Sequence, residues 1–314
     1  MKLSNIPNLE GYGVFVDDID FKHLTRPQWM TLGKLQMEKL VMIIRNSGIS
    51  VNRFHQLMKL WGEARQNYAA KQDHTSEVAK EYLRIGGHAE TGHIVRVAEK
   101  NGLFGGGDLL WHSNESGDIA FTPGVALLGH QNMTKSATGF MVTTPYYYSL
   151  SESMRSELDE MVLIHNFKEG MINANGENNV VYQNMCPEPE TEIPLVIQSP
   201  AGVKGLHFPY NTVSRSNNDR LLAEVKKGLE KYTYDYWWMN DDDLLIFDNS
   251  IVQHRRVGET KDRLCYRYQF DYTYLQYRVA GKPYMPYLQE PYKSRYREKM
   301  KQIAKVFPVY GYKL

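Results

Sequence analysis

The second half of this chain is a succession of short β-prone runs separated by turn residues, and no other feature restricts its fold as much. Val125-Ala126-Leu127-Leu128, Gly139-Phe140-Met141-Val142, Val180-Val181-Tyr182, Leu195-Val196-Ile197, Leu244-Leu245-Ile246-Phe247 and Tyr266-Arg267-Tyr268-Gln269-Phe270 each have the length of one strand. Two helical stretches interrupt them. One begins near Ser151 and runs through Met154, Leu158 and Met161-Val162; the other begins near Asn217 or Asn218 and puts Leu221, Leu222, Val225 and Leu229 on one face. Alternating βαβ units would need a helix after nearly every strand. The pattern therefore predicts an α+β protein with a mainly β core, a jelly-roll-like double sheet with flanking helices.

The first hundred residues fit helices around such a core. Gly13-Val14-Phe15-Val16 reads as a strand, Pro27 to Leu40 as a helix carrying Trp29, Leu32, Leu35, Gln36 and Leu40, and Val41-Met42-Ile43-Ile44 as a buried strand closed by Arg45-Asn46-Ser47-Gly48. Ser50 caps a second helix with Phe54, Leu57, Met58 and Trp61 at helical spacing, stopped by Gly62. From Glu63 to Gly92 the chain is polar, with a weak helical stretch at Val78 to Leu83, and reads as a long surface excursion. Ile94 to Val97 resumes strand character. Gly105-Gly106-Gly107 then gives a permissive loop without the Lys-Ser/Thr of a phosphate-binding one.

At 314 residues the chain is expected to form one domain, 1–314, with its core at about 13–274 and a Tyr-rich C-terminal extension at 275–314. Lys and Arg total 37 against 36 Asp and Glu, which argues against nucleic acid or an anionic membrane as partner. The N-terminus has no apolar leader-like run and no span of about 18 apolar residues occurs, so a cytoplasmic location is expected. Cys186 and Cys265 are the only cysteines, too few for a disulfide framework or a thiolate zinc site. Any metal would be held by nitrogen and oxygen. Many of the 22 tyrosines cluster between Tyr266 and Tyr312, which suggests an aromatic packed surface or a contact between copies in a homo-oligomer.

Two histidines, His112 in Leu110-Trp111-His112-Ser113-Asn114 and His254 in Asp248-Asn249-Ser250-Ile251-Val252-Gln253-His254, are the candidate metal ligands. If Leu109 to Asn114 is the end of a strand, alternation puts residues 112 and 114 on one face, and a histidine from another strand completes a three-point site. Non-haem iron oxygenases bind Fe(II) through two histidines and one carboxylate in this way.

These segments resemble the taurine dioxygenase family of Fe(II)- and 2-oxoglutarate-dependent oxygenases, over roughly Gly13 to Tyr274. Trp111-His112-Ser113-Asn114 is similar to the family's Trp-His-Thr/Ser-Asp; Thr138 stands where the family has a cosubstrate-binding Thr; Asp248-Asn249 with His254, and Arg263 and Arg267 spaced by four, match its later motifs. The resemblance implies a double-stranded β-helix, Fe(II) on His112, Asn114 and His254, and 2-oxoglutarate on Thr138, Arg267 and Arg263, with Arg267 clamping the far carboxylate. It further implies O₂ as oxidant and hydroxylation of a small molecule with release of succinate and CO₂. Asp108, four residues before His112, lies where relatives contact substrate and suggests a polar, amine-bearing one.

Asn114 departs from the family pattern. An amide oxygen can ligate a metal but neutralises none of its charge. Glu115 would face the other way on a strand, and Asp118 could substitute only if the loop folded back. The alternative is a catalytically impaired ligand-binding or assembly protein on the same fold.

Overall fold

The computed structural model describes residues 1–64, 94–97, 109–166, 190–258, 263–271 and 284–306. The runs expected at 78–83 and 180–182, the glycines 105–107, Asp108 and Cys186 lie outside the described residues. Strand β1 (Lys2–Asn5) pairs antiparallel with β2 (Gly13–Asp17), and helix α1 (Arg26–Lys39) returns the chain to β3 (Val41–Ile44), parallel to β2. Thr25 starts α1 with a capping box, its N–H donating to Gln28 Oε1 at 2.9 Å while its own oxygen accepts from the Gln28 N–H. Helix α2 (Val51–Met58) is capped by Ser50 and ends at Met58, short of the expected stop at Gly62. Trp61 therefore leaves the helical path. Its ring instead stacks on Trp29 at 4.2 Å, and each indole N–H donates to a carbonyl, Trp29 to Leu57 and Trp61 to Trp29.

The chain continues through β4 (Glu63–Ala64), β5 (Ile94–Val97), β6 (Leu109–His112), β7 (Gly124–Gln131) and β8 (Ser136–Val142), then helices α3 (Thr144–Ser149) and α4 (Glu152–Asp159). There follow β9 (Val162–His165), β10 (Thr191–Pro194), β11 (Val196–Gln198), β12 (Lys204–Leu206), β13 (Val213–Ser216) and α5 (Asp219–Leu229). Last come β14 (Thr233–Trp237), β15 (Leu244–Asp248), β16 (Val252–Gly258), β17 (Leu264–Asp271) and α6 (Tyr292–Val306). Two boundaries differ from the sequence reading. The helix expected to reach Val162 stops at Asp159, because Val162 opens a strand that pairs with both β10 and β13. The run 195–197 is divided at Leu195, whose N–H donates to Met161 O at 2.9 Å and whose carbonyl accepts from His207.

The fold is mixed, with sheets predominating. The larger sheet runs β1-β2-β3-β15-β7-β17-β4, with β5 also on β17; a second sheet runs β14-β8-β16-β6. Between them lies one core cluster, with Phe140 of β8 meeting Phe247 of β15 edge to face at 5.2 Å. Alternation sorts the larger sheet cleanly. Val41, Ile43, Val125, Leu127, Leu245 and Phe247 face the second sheet, whereas Met42, Ile44, Ala126, Leu128, Leu244 and Ile246 face the cluster that contains Trp29, Phe54 and Trp61. A sheet buried on both faces reads as unbroken apolar runs. On the described part of the C-terminal extension, Tyr284, Tyr287, Tyr292 and Tyr296 are buried in the core between the sheets, and the Tyr287 hydroxyl donates to Ile119 O at 2.9 Å. These four fill the chain's own interior. Among the described residues, no helix is long and apolar enough to cross a membrane.

Truncating Trp61 would open a cavity against Trp29 and remove the indole N–H that the Trp29 carbonyl accepts. Trp61→Ala is expected to cost about 3–5 kcal/mol in a urea titration, with the strands that carry the histidines keeping their hydrogen-exchange order.

Candidate active site

Strands β6 and β16 run side by side with His112 and His254 directly opposite one another, and their rings stand 4.0 Å apart between centroids. His112 Nδ1 lies 2.7 Å from Leu110 O. A carbonyl only accepts, so Nδ1 carries the proton and Nε2 presents a lone pair. His254 Nδ1 is buried with no hydrogen-bond partner among the described residues. Burial pushes the His112 imidazole down to about 4, helped by the nearby Arg256 and Arg267 charges and opposed by the bond to Leu110. Burial, then His112 and Arg267, hold His254 well below its ordinary value. Both rings are neutral at pH 7, the form that ligates metals.

Asn114 is not on the strand, as expected, but in the turn after it, since β6 ends at His112. Pleat alternation therefore does not orient it. Asn249 does: its Oδ1 accepts from the Asn114 N–H at 2.8 Å, and its Nδ2 donates to Asn114 O at 2.9 Å and Thr122 O at 2.7 Å. Asp248 secures the other side, accepting from the N–H groups of Ser250 and Ile251 and from the Ser199 hydroxyl. Asn114 Nδ2 is itself buried without a partner among the described residues. Neither nearby acid turns toward the histidines' partner position. Glu115, at a left-handed φ of 55°, accepts from the Thr122 hydroxyl, and Asp118 accepts from Ala120 N and faces Lys299 at 3.5 Å. Among the described residues, no three His, Cys, Asp or Glu side chains gather as a metal set. The two opposed neutral imidazoles are donors that fit a divalent ion, and an amide as third donor would give less charge compensation than a carboxylate.

Thr138 on β8 is buried, and its Oγ1 accepts from Trp238 Nε1 at 3.0 Å. The Arg263 guanidinium lies 5.6 Å from the Trp238 ring, 4% exposed, with Nε and Nη1 unpartnered among the described residues. Arg263, Cys265 and Arg267 share one face by alternation, and Cys265 lies in the core between the sheets. Burial lifts its thiol to about 11 against the pull of Arg263, Arg267 and Arg256, so it stays neutral. The structure thus sets Arg263 and Thr138 each against Trp238, while the Arg267 charge bears on both histidines. Arg256 was not singled out in the sequence. It follows His254 by two residues, and so shares its face, and it is the direct cross-strand partner of Thr138. The same alternation turns Arg255 outward, where it pairs with Asp235 at 2.5 Å over Trp111.

The sequence profile of the family described as "Taurine catabolism dioxygenase TauD, TfdA family" matches residues 8–269. The chain belongs to this family and is by class a 2-oxoglutarate-dependent dioxygenase, using Fe(II), 2-oxoglutarate and O₂. Among solved structures, a putative alpha-ketoglutarate-dependent taurine dioxygenase from Burkholderia xenovorans is similar at 15% identity and a TM-score of 0.63, over 86% of this chain and 92% of that one. AAD-2 in complex with Mn(II) and N-oxalylglycine is similar at 15% identity and a TM-score of 0.62, over 92% of this chain and 100% of that one. A taurine dioxygenase from Burkholderia xenovorans is similar at 15% identity and a TM-score of 0.60, over 82% and 85%. A comparison with curated proteins gives no match.

Asn249→Ala is expected to leave one buried N–H and two buried carbonyls unpaired, lowering stability by about 3 kcal/mol or more in chemical denaturation. In metal-free protein, His112 should make stability pH-dependent. Its folded value near 4 lies below the ordinary 6.5, so the contribution is complete above about 6.5 and is lost as pH falls towards 4. The loss is on the order of 3 kcal/mol, and His112→Asn should remove that share from urea midpoints recorded from pH 7 to 4, leaving the shares of the buried His165, His207 and His254.

Proposed function

We propose that the chain hydroxylates a small polar molecule with release of succinate and CO₂, on one domain whose two facing sheets form a double-stranded β-helix, or jelly roll. The observation that carries this is the opposed pair His112 and His254, neutral and on adjacent strands, with Arg263 and Thr138 each against Trp238. His112 and His254 would hold the iron, with the Asn114 amide oxygen as third donor. Iron, when bound, supplies a coordination site where 2-oxoglutarate and O₂ react.

The remaining work falls to side chains. Because Thr138 Oγ1 already accepts from Trp238, its own O–H is oriented to donate, and with Arg263 it can grip the far carboxylate of the cosubstrate. That assignment gives Arg263 the clamping role expected of Arg267. Arg267, whose charge is felt at both rings, is suited to an anionic group nearer the metal. The neutral Cys265 thiol adds no charge between them, and the Phe247 ring, 4.8 Å from His254, keeps water from that side. Asp108, outside the described residues, is retained as a proposed substrate contact.

A second reading rests on Asn114: its neutral amide, with Glu115 and Asp118 both engaged elsewhere, favours a chain that binds its ligands with impaired turnover or none. Anaerobic titration with Fe(II) and 2-oxoglutarate, followed by the visible charge-transfer band of the chelate, decides between them. The dioxygenase reading expects the band in the native chain and succinate on admitting air, with Asn114→Asp binding iron about tenfold tighter or better. A band in Asn114→Asp alone would overturn native turnover. Arg263→Ala should weaken 2-oxoglutarate binding by about 2–5 kcal/mol, and Arg263→Lys should recover only part, lacking the guanidinium fork; an unchanged affinity would return the clamp to Arg267.

A further inference from the structure

Two more histidines, distant from each other in sequence, sit against the same turn that carries Asn114. His165, at the end of β9, and His207, just after β12, are 2% and 0% exposed, with ring centroids 5.8 Å apart. His207 Nδ1 lies 2.8 Å from Ser250 O, beside Asn249, and its ring stacks on Phe121 at 4.7 Å. His165 Nδ1 lies 3.0 Å from Thr212 Oγ1, whose hydroxyl donates onward to Ser116 Oγ at 3.2 Å, and His165 Cβ is 3.5 Å from where a side chain on Gly117 would begin. Both rings are therefore anchored to the segment 113–122 and to the Asn249-Ser250 corner behind it.

The anchoring fixes the tautomers. Ser250 O can only accept, and Thr212 has committed its proton to Ser116, so each Nδ1 is the donor and each Nε2 carries a bare lone pair. Neither Nε2 has a partner among the described residues, and both are buried. Ser113 Oγ and Asn114 Nδ2 in that segment, and Asn211 Oδ1 next to Thr212, are buried and unpartnered among the described residues. Folded proteins leave few such atoms unsatisfied, and a concentration of them beside a metal-binding turn marks a place for a polar ligand.

We propose that His165 and His207 form the subsite that recognises a hydrogen-bond-donating head group of the substrate, an ammonium group above all, next to Asn114. The inference rests on the dioxygenase reading only in calling that ligand the substrate. An ammonium has donors and no acceptors, and the two Nε2 atoms offer acceptors and no donors. A carboxylate or sulfonate would meet two lone pairs and be refused. Burial, which holds His207 near 4 and His165 well below its ordinary value, keeps both rings in the accepting form.

The test is long-range proton–nitrogen NMR of the imidazoles in the full chain loaded with Zn(II), a diamagnetic stand-in, and 2-oxoglutarate, using n-butylammonium and butyrate as matched probes. The Nε2 resonances of His165 and His207 should move with n-butylammonium and stay with butyrate. His165→Phe and His207→Phe should each weaken that binding about tenfold, while Gln at either position, which keeps an acceptor, should lose less. No movement in the native chain, equal movement with butyrate, unchanged affinity in both Phe variants, or a second Zn(II) held by the pair would each overturn the proposal. The visible band with Fe(II) and 2-oxoglutarate reports on His112 and His254 instead. Its absence beside a normal ammonium response would sink the dioxygenase reading alone, and the reverse would sink the subsite alone.

Discussion

Everything at the candidate site depends on one buried amide. Asn249 makes three side-chain hydrogen bonds to the backbone of Asn114 and Thr122, joining the end of β15 to a turn 135 residues earlier in the chain. Without it the segment after His112 would have buried N–H and C=O groups facing apolar neighbours, at a cost comparable to a large fraction of a domain's net stability. Asp248 closes the neighbouring corner, so the strand that leads to His254 starts from a fixed point. The two histidines meet because two loops are fastened to each other, and only secondarily because their strands pair.

Positive charge is the other organising theme. Arg256, Arg263 and Arg267 all influence the Cys265 thiol in the space between the sheets, and the residue two after His112 is the uncharged Asn114. A dianionic cosubstrate would relieve that field; a neutral one would not.

Much of the fold was legible because the larger sheet is buried on both faces: runs such as Val125 to Leu128 and Leu244 to Phe247 are uniformly apolar, bounded by turns, and could hardly be anything else. Boundaries were legible only where a cap announced them, as Ser50 and Asn218 do. Val162 looked helical because a short apolar run carries no period of its own, and its pairing partners lie far away in the sequence. His112, His254, Thr138, Arg263 and Arg267 are candidates that their order and spacing single out. His165 and His207 were not, since a lone histidine between apolar neighbours is ordinarily a packed one. What distinguishes them is the absence of a partner for one ring nitrogen, and that is a property of three-dimensional surroundings.

The register of β16 has a consequence for mutation. His254 and Arg256 face the interior, while Arg255 faces outward, solely because β16 is in phase with β8 over seven residues. Deleting one residue between Ile251 and His254 would change no side chain of the site, yet it would put Arg255 where His254 now stands and turn His254 to the opposite face of the sheet, into the buried place of Gln253. Along this strand the number of residues matters as much as their kind: exchanging one outward side chain leaves both faces in place, whereas gaining or losing one residue inverts them.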